Sequence, residues 1–492
     1  MEHFQATTAE LRATSIDFST GGELLLLPSL SALLGEPVQA VSPWEFAHRL
    51  AADNWQHHYQ PRLAASPLDR VRGLLEAFHH RCEVADWPAA TQILRMSRPD
   101  WQHRPLHQQL GYWGYYAEQV DLYAQLVVGE IPPDLQCLCL NGLGSACCYL
   151  GQFQQAIAHY HHQLTLARRF RLVEYEAQAL GGMGRATSYL GHFKDSYGLF
   201  RQQLQAARQV NCLDQMGWAW AGLGVSSVEL QKYRQGVQYL QQALAIAQQM
   251  THQELYEHAL TMIGSAYMMM GKPRQAIRYF SHQQQTDPEL HSLYQQWLTR
   301  YYLGVYHVLL GEYDQGEAYF QEILQNRSAL NPYQLSRTVG NLGALYARQG
   351  KHQRALECGW EHFYLEDSIG RLDGKFSALL NLSYSYLELG QFPAAKDCIT
   401  QAGALLRHTT HPQDQGLYLA ACAAYDWKQK RYGRSLVYLA KAWYLAPPWK
   451  SEDGKIITKI AVQEISRTIW RYLSQIFLSL QRFLSGVFSL KR

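Results

Sequence analysis

The sequence predicts an all-α chain, a solenoid of antiparallel helix pairs. Three observations carry that prediction. A small residue recurs at Gly144, Gly184, Gly224, Gly264, Gly304, Gly343, Ser383 and Ala423, in six steps of 40 residues and one of 39. A second Gly follows most anchors by seven residues, an aromatic comes two later and a small residue three after that, as in Gly144, Gly151, Phe153 and Ala156. Apolar residues around the anchors fall at three- and four-residue spacing, as in Tyr256, Ala259, Leu260, Ile263, Ala266 and Tyr267. A period of this length, held through eight copies, marks stacked helical units that bury their apolar faces only against their neighbours.

Residues 1–69 stand outside the period. Within them, Ser42-Pro43-Trp44-Glu45 is a helix start: Ser42 caps, Pro43 fits the first turn, and Glu45 reaches back to close a capping box. Ser66-Pro67-Leu68-Asp69 opens the next helix in the same way. Residues 70–136 read as two decayed units, around Trp87, Ala89 and Ala90 and around Tyr112, Tyr115, Tyr116, Ala117 and Leu122. Such atypical units cap the end of an array.

The regular array spans 137–446 as eight units. Gly151, Gly191, Gly271, Gly311, Gly350 and Gly390 end first helices with a left-handed backbone; Gln231 and Lys430 replace glycine in two units. Pro273 and Pro393 sit in first turns, where no donor is lost. Thr251 with Glu254, and Asn331-Pro332 with Gln334, predict capping boxes; Asp287-Pro288 and His411-Pro412 are further starts. Ala156, Gly236, Ala276, Gly316, Ala355 and Ala395 let two helices cross closely, where a larger side chain costs roughly 1–3 kcal/mol. Phe153, Phe193, Tyr233, Tyr313, Phe392 and Tyr432 fill the seam between units.

Bulk properties agree. A chain of 492 residues exceeds what one core serves, but a solenoid escapes that limit. The net charge of +3 offers no field for nucleic acid. From 455 to 492, however, seven Lys or Arg face one Glu, so the remainder of the chain is slightly acidic. Nine Cys without a repeated framework point to a reducing, cytoplasmic setting. The stretch from Met1 to Arg12 lacks the apolar core of a secretory signal, and no segment offers the roughly 18 charge-free apolar residues of a membrane span.

The pattern resembles the tetratricopeptide repeat family. Leu143/Gly144, Leu150/Gly151, Phe153, Ala156 and Tyr160 carry the match, as do Leu342/Gly343, Tyr346, Gly350 and Ala355. The unit is longer than usual and is similar to the long-repeat members. Ser383 and Ala423 depart from the anchor Gly. The resemblance implies a right-handed superhelix whose concave groove, lined by first helices, binds a partner's peptide or helix.

Residues one, four and five after each anchor, and three and six before it, are expected to face that groove. They give Tyr149, Arg185, Tyr189, Trp218, Met268, Met269, Tyr301, Arg337, Arg348, Tyr384 and Trp427 as partner-binding candidates. Arg and aromatic side chains dominate such recognition, so the expected ligand is apolar or aromatic with some acidic character. The alternative is that part of this set packs against neighbouring helices.

Ala446-Pro447-Pro448-Trp449 ends the array, and 447–492 form a basic amphipathic tail. It either closes the last unit, lies on an anionic membrane surface or meets a partner helix. Arg467, Trp470, Arg471, Phe477, Arg482 and Phe488 are its candidate membrane or partner contacts.

No catalytic constellation emerges. His159, His161 and His162 form the densest histidine cluster, but a third metal ligand of a closed site is missing. No phosphate loop, dinucleotide fingerprint or nucleophile elbow occurs. The chain is therefore expected to be a non-enzymatic, cytoplasmic scaffold or assembly factor, peripheral to a membrane through its tail. It is expected to need no cofactor or metal and to take no small-molecule substrate. The alternative is a regulatory or sensor subunit of a separately encoded kinase, ATPase or transcription factor.

Overall fold

Helix start and stop signals set the element order. The computed structural model describes residues 42–62, 65–101, 103–284, 293–406 and 412–445. Among them 21 α-helices follow one another, and the only β pairing is an isolated bridge between Ser97 and Pro105.

Five helices come first. α1 (Pro43–His58) and α2 (Pro67–Glu83) begin on Ser42 and Ser66, whose hydroxyls accept the amides of Glu45 and Asp69 at 3.1 Å. α3 (Trp87–Leu94), α4 (Leu106–Tyr112) and α5 (Tyr116–Val127) are shorter. They gather around Phe78, Leu94, Leu110 and Leu122.

Eight hairpins follow. They pair α6 (Pro133–Tyr149) with α7 (Phe153–Phe170), α8 (Val173–Tyr189) with α9 (Phe193–Gln209), and α10 (Leu213–Glu229) with α11 (Tyr233–Met250). Next come α12 (Gln253–Met269) with α13 (Pro273–Gln284), α14 (Leu293–Leu310) with α15 (Tyr313–Gln325), and α16 (Pro332–Arg348) with α17 (His352–Ile369). α18 (Leu372–Glu388) with α19 (Phe392–Leu405), and α20 (Pro412–Lys428) with α21 (Tyr432–Leu445), complete the series. The solenoid class expected from the period is the fold observed.

Two packing rules explain the period. At Gly144, Gly184, Gly264 and Gly304 an aromatic ring 16 positions on lies against a backbone without a side chain, while Gly224 meets Leu240 and Gly343 meets Cys358. A Cβ on Gly144 would stand 2.7 Å from the Tyr160 ring, and one on Gly264 would stand 2.5 Å from Phe280. Tyr160 and Phe280 are fully buried as a result. Where the anchor is Ser383 or Ala423, the residue at that distance is the slimmer Ile399 or Leu439. Twelve positions after the anchor, a small residue sits on the anchor's own carbonyl. Ser196 Oγ donates to the Gly184 carbonyl at 2.8 Å, and Ser435 Oγ to that of Ala423 at 2.7 Å. Ala156, Gly236, Ala276, Gly316, Ala355 and Ala395 occupy the same place and are buried.

The turns hold without glycine. Gly151 has φ 79°, and Gln231 and Lys430 keep the same left-handed conformation at 61° and 60°. The capping box at Asn331 and Gln334 forms in both directions, at 2.8 and 3.0 Å. The one expected at Thr251 and Glu254 does not. Thr251, at φ 53°, is the left-handed residue that closes α11, so it cannot serve as an extended cap. His252 Nδ1 takes that role, accepting the Leu255 amide at 3.3 Å. Asp287-Pro288 and His411 lie outside the described residues; α20 begins at Pro412.

The stack coils back on itself. A Cβ on Gly151 would meet Pro332 Cδ at 2.7 Å, and one on Gly191 would meet Asp373 Oδ1 at 2.8 Å, across 181 and 182 residues of sequence. The Tyr189 and Tyr333 rings lie 4.9 Å apart, Phe153 stands edge-on to Tyr333 at 6.4 Å, and Tyr149 meets Tyr294 at 6.1 Å. One apolar cluster accordingly joins Phe153 and Ala186 to Trp297, Tyr301 and Leu342. The first two hairpins are thereby roofed by the fifth, sixth and seventh.

Left-handed turns without glycine store conformational cost. We expect Gln231→Gly and Lys430→Gly each to stabilise the chain by about 0.5–1 kcal/mol in urea unfolding. Gly311→Ala, whose added methyl meets nothing within 4 Å, should cost about 1–2 kcal/mol from backbone conformation alone.

A candidate binding chamber

The return of the coil leaves a partly open cavity of about 590 Å³ on the inner wall. First helices supply most of its wall: α6 gives Ser145 and Tyr149, α8 Arg185 and Tyr189, α10 Trp218 and Glu229, α12 Glu254 and His258, α14 Tyr294 and Tyr301, and α16 Tyr333 and Arg337. α9 adds Gln203 from below.

Two arginines define the chemistry. Arg185 Nη2 donates to Tyr160 Oη at 3.1 Å and reaches Ser145 Oγ at 3.5 Å, while its buried Nε has no partner. The aromatic that rests on the Gly144 anchor is thus a Tyr where three other units have Phe, and its hydroxyl holds the guanidinium. Arg337 donates to Tyr301 Oη from Nε at 3.2 Å and to Tyr333 Oη from Nη1 at 2.8 Å. Its guanidinium also stands over both rings, 5.0 and 5.7 Å from their centroids. Tyr294 lies in the field of both arginines. Among the described residues no carboxylate lies within ion-pair distance of either arginine; Glu254 acts on Arg185 and Glu229 on Arg337 from farther off.

The other groups tune this space. Enclosure pushes the phenols of Tyr149 and Tyr189 well up, so both are neutral donors. Enclosure first, and Arg185 second, push His258 down to about 4, so its imidazole is uncharged at neutral pH. Glu229 and Glu254 also border the cavity, and the second lies in the field of Arg185.

Of the eleven groove candidates, the fold brings six to this cavity: Tyr149, Arg185, Tyr189, Trp218, Tyr301 and Arg337. The other five lie elsewhere. Met268 is buried between hairpins against Phe280, Leu303 and Tyr306. Met269 is 49% exposed, and Arg348 is exposed at the end of α16. Tyr384 meets His352 at 6.1 Å and Trp427 meets Tyr432 at 4.8 Å, both beyond the roofed section. Arg467, Trp470, Arg471, Phe477, Arg482 and Phe488 lie outside the described residues. Sequence reasoning missed Glu229, His258 and Gln178, although they occupy the same register: five after, six before and six before an anchor. Selecting only Arg, Met and aromatics from that register discarded them.

Among the described residues no group of three or more His, Cys, Asp or Glu is placed to hold a metal. His161 and His162 point outward on α7.

Stacked antiparallel hairpins around a lined inner wall define a helical-repeat protein of the α-solenoid class. Tetratricopeptide repeat profiles match residues 139–174 and 297–359, which cover α6–α7 and the hairpins of α14–α17. Those two stretches are tetratricopeptide repeats. No curated protein matches its sequence. Among solved structures it is similar to NprR in complex with its cognate peptide NprX, at 13% identity over 77% of this chain and 99% of that one, TM-score 0.45. It is also similar to a Rap protein complexed with Competence and Sporulation Factor (12%, 80% and 99%, TM-score 0.36) and to the APC/C hetero-tetramer Cut9–Hcn1 (14%, 87% and 94%, TM-score 0.37).

Tyr333 both closes the chamber and holds Arg337. Tyr333→Ala should cost about 3–5 kcal/mol in chemical unfolding, and Tyr333→Phe, which removes only the hydroxyl, about 1–2 kcal/mol. Equal effects of the two would show that the ring contacts across the closure contribute nothing.

Proposed function

We propose that the chain is a non-enzymatic interaction scaffold whose inner wall receives an acidic polypeptide segment between Arg185 and Arg337. The observation that carries this reading is the pair of cavity-lining guanidiniums that hydrogen-bond to hydroxyls and make no direct ion pair, Glu254 and Glu229 acting on them only at longer range. An incoming carboxylate in direct contact adds short, charge-assisted hydrogen bonds that those glutamates do not supply. Neighbouring tyrosines and Trp218 supply rigid apolar surface with polar edges, the residue types that anchor recognition. Affinity capture from the native source tests the reading. A partner held by the wild-type chain should be recovered about tenfold less by the Arg185→Gln/Arg337→Gln double variant with its helical circular dichroism intact. Undiminished recovery would place recognition away from the inner wall.

The tail supplies the second half of the proposal. Among the described residues no helix is long and apolar enough to cross a membrane. The basic, amphipathic sequence of 455–492 instead favours peripheral contact with anionic lipid. The full chain should float with phosphatidylserine vesicles at low salt, and a chain ending at 454 should not. Equal flotation of both removes the tail from this role.

A further inference from the structure

We propose that the outer face of the first four hairpins binds double-stranded nucleic acid through its phosphate backbone. The inner wall takes no part in this contact, so the inference stands apart from the reading given above.

Segregated charge is the first observation. The second helices of these hairpins, α7, α9, α11 and α13, carry eight Lys or Arg and one acid, Asp195. All eight cations are exposed, and Glu176 takes up one of them, Arg168, at 2.9 Å. The first helices of the same hairpins, α6, α8, α10 and α12, carry seven acids and one cation, Arg185. The sign reverses along the outer face as well, since α15 and α17 together hold seven acids and one cation, Arg354. The net charge of +3 averages over these regions and conceals a strongly positive surface.

Layout is the second. Lys194, Arg234 and Arg274 recur at 40-residue steps, each as the second residue of its helix, so they form a row across α9, α11 and α13. Arg168 and Arg208, also 40 residues apart, stand near the opposite ends of α7 and α9. Fourteen residues separate Lys194 from Arg208, which at the helical rise is about 21 Å, comparable to the width of a duplex. Arg201 lies midway on the same stripe. With Gln205, Arg208 and Gln209 it borders a shallow depression of about 510 Å³. Tyr197 and Tyr239 bring their hydroxyls within 3.2 Å, so α9 and α11 touch on this side and the face is continuous between them.

The surface between the cations selects the polyanion. Its exposed residues include Gln202, Gln205, Gln238, Gln241 and Gln242, whose amides can donate to phosphate and sugar oxygens. Large exposed apolar residues are confined to the helix ends, at Phe170 and Val210. The face thus lacks the apolar stripe with which an interfacial helix enters lipid. Tyr197 and Tyr239 are half-buried and bonded to each other, so they offer no platform for stacking unpaired bases. A duplex presents a charge about every 1.7 Å of its axis, a regular array for cations that themselves recur from hairpin to hairpin.

Fluorescence anisotropy on the full chain tests the proposal. The probes are mixed-sequence duplex DNA and duplex RNA of about two helical turns, titrated between about 50 and 200 mM salt. At least one duplex should bind, with an observed association constant that falls by about four or more log units per log unit of salt. The variant Lys194→Gln/Arg201→Gln/Arg208→Gln/Arg234→Gln should bind at least about tenfold more weakly and flatten that slope by about three. A tail variant, Arg467→Gln/Arg471→Gln/Arg482→Gln, should keep most of the affinity. Circular dichroism checks that the variants stay helical. If the quadruple variant does not, the pairs Lys194→Gln/Arg234→Gln and Arg201→Gln/Arg208→Gln carry the test, each flattening the slope by about two. Binding of neither duplex overturns the proposal, as does binding that the tail variant abolishes and the face variant leaves intact. Tighter binding of a single strand of equal length overturns it too. So does face-dependent binding of phosphatidylserine vesicles or polyglutamate that matches or exceeds that of the duplexes.

Discussion

The contact on which the structure depends is an aromatic ring laid against a backbone that has no side chain. Tyr160 on Gly144 and Phe280 on Gly264 set how closely the two helices of a hairpin approach. Burial of each ring contributes roughly 1.5–3 kcal/mol, and the small residue twelve positions on brings the second helix onto the anchor carbonyl. Repetition of this crossing at nearly constant spacing coils the stack tightly. The coil then meets itself: Pro332 seats on Gly151 and Asp373 on Gly191. Arg185 and Arg337, 152 residues apart in sequence, share one cavity only because of that return.

The chamber is where the fold accepts a local cost. A guanidinium without a directly contacting carboxylate is less stable than an ion-paired one, yet the chain surrounds both arginines with phenols and keeps Glu254 and Glu229 beyond ion-pair distance. The phenols fix the guanidinium planes. Elsewhere the chain pairs its buried charges. Glu366, 1% exposed, is met by Ser336, His362 and Arg371, and Asp426 by Arg431 and Arg434. Direct ion pairs hold these structural charges, whereas the chamber arginines meet Glu254 and Glu229 only at longer range, and that contrast supports the proposed recognition role.

Much of this was legible in the sequence. The 40-residue step gave the hairpins, the turn glycines their closing residues, and the anchor register the residues that look inward. Three things were not legible. The return of the coil depends on small angles summed over several hairpins, which no local pattern encodes, so Tyr384 and Trp427 fall outside the roofed section. Met268 shares the register of inward residues but is long and flexible enough to pack into the seam between hairpins. Thr251 reads as a cap by residue type, yet its position closes α11 and forces a left-handed backbone. Glu229 and His258 were within reach of the register rule and were lost by choosing residue types too narrowly.

The central claim is that the chain closes on itself around a chamber. Pulsed electron spin resonance between labels at Gln152→Cys and Ser328→Cys, beside the Gly151–Pro332 contact, tests it most directly in a background lacking accessible native cysteines. A closed coil predicts one narrow distance population below about 25 Å. An open stack of more than four hairpins at helix-packing spacing would place the labels beyond about 40 Å. That longer distance, as the main population, would contradict the closed chamber and with it the shared site of the two arginines.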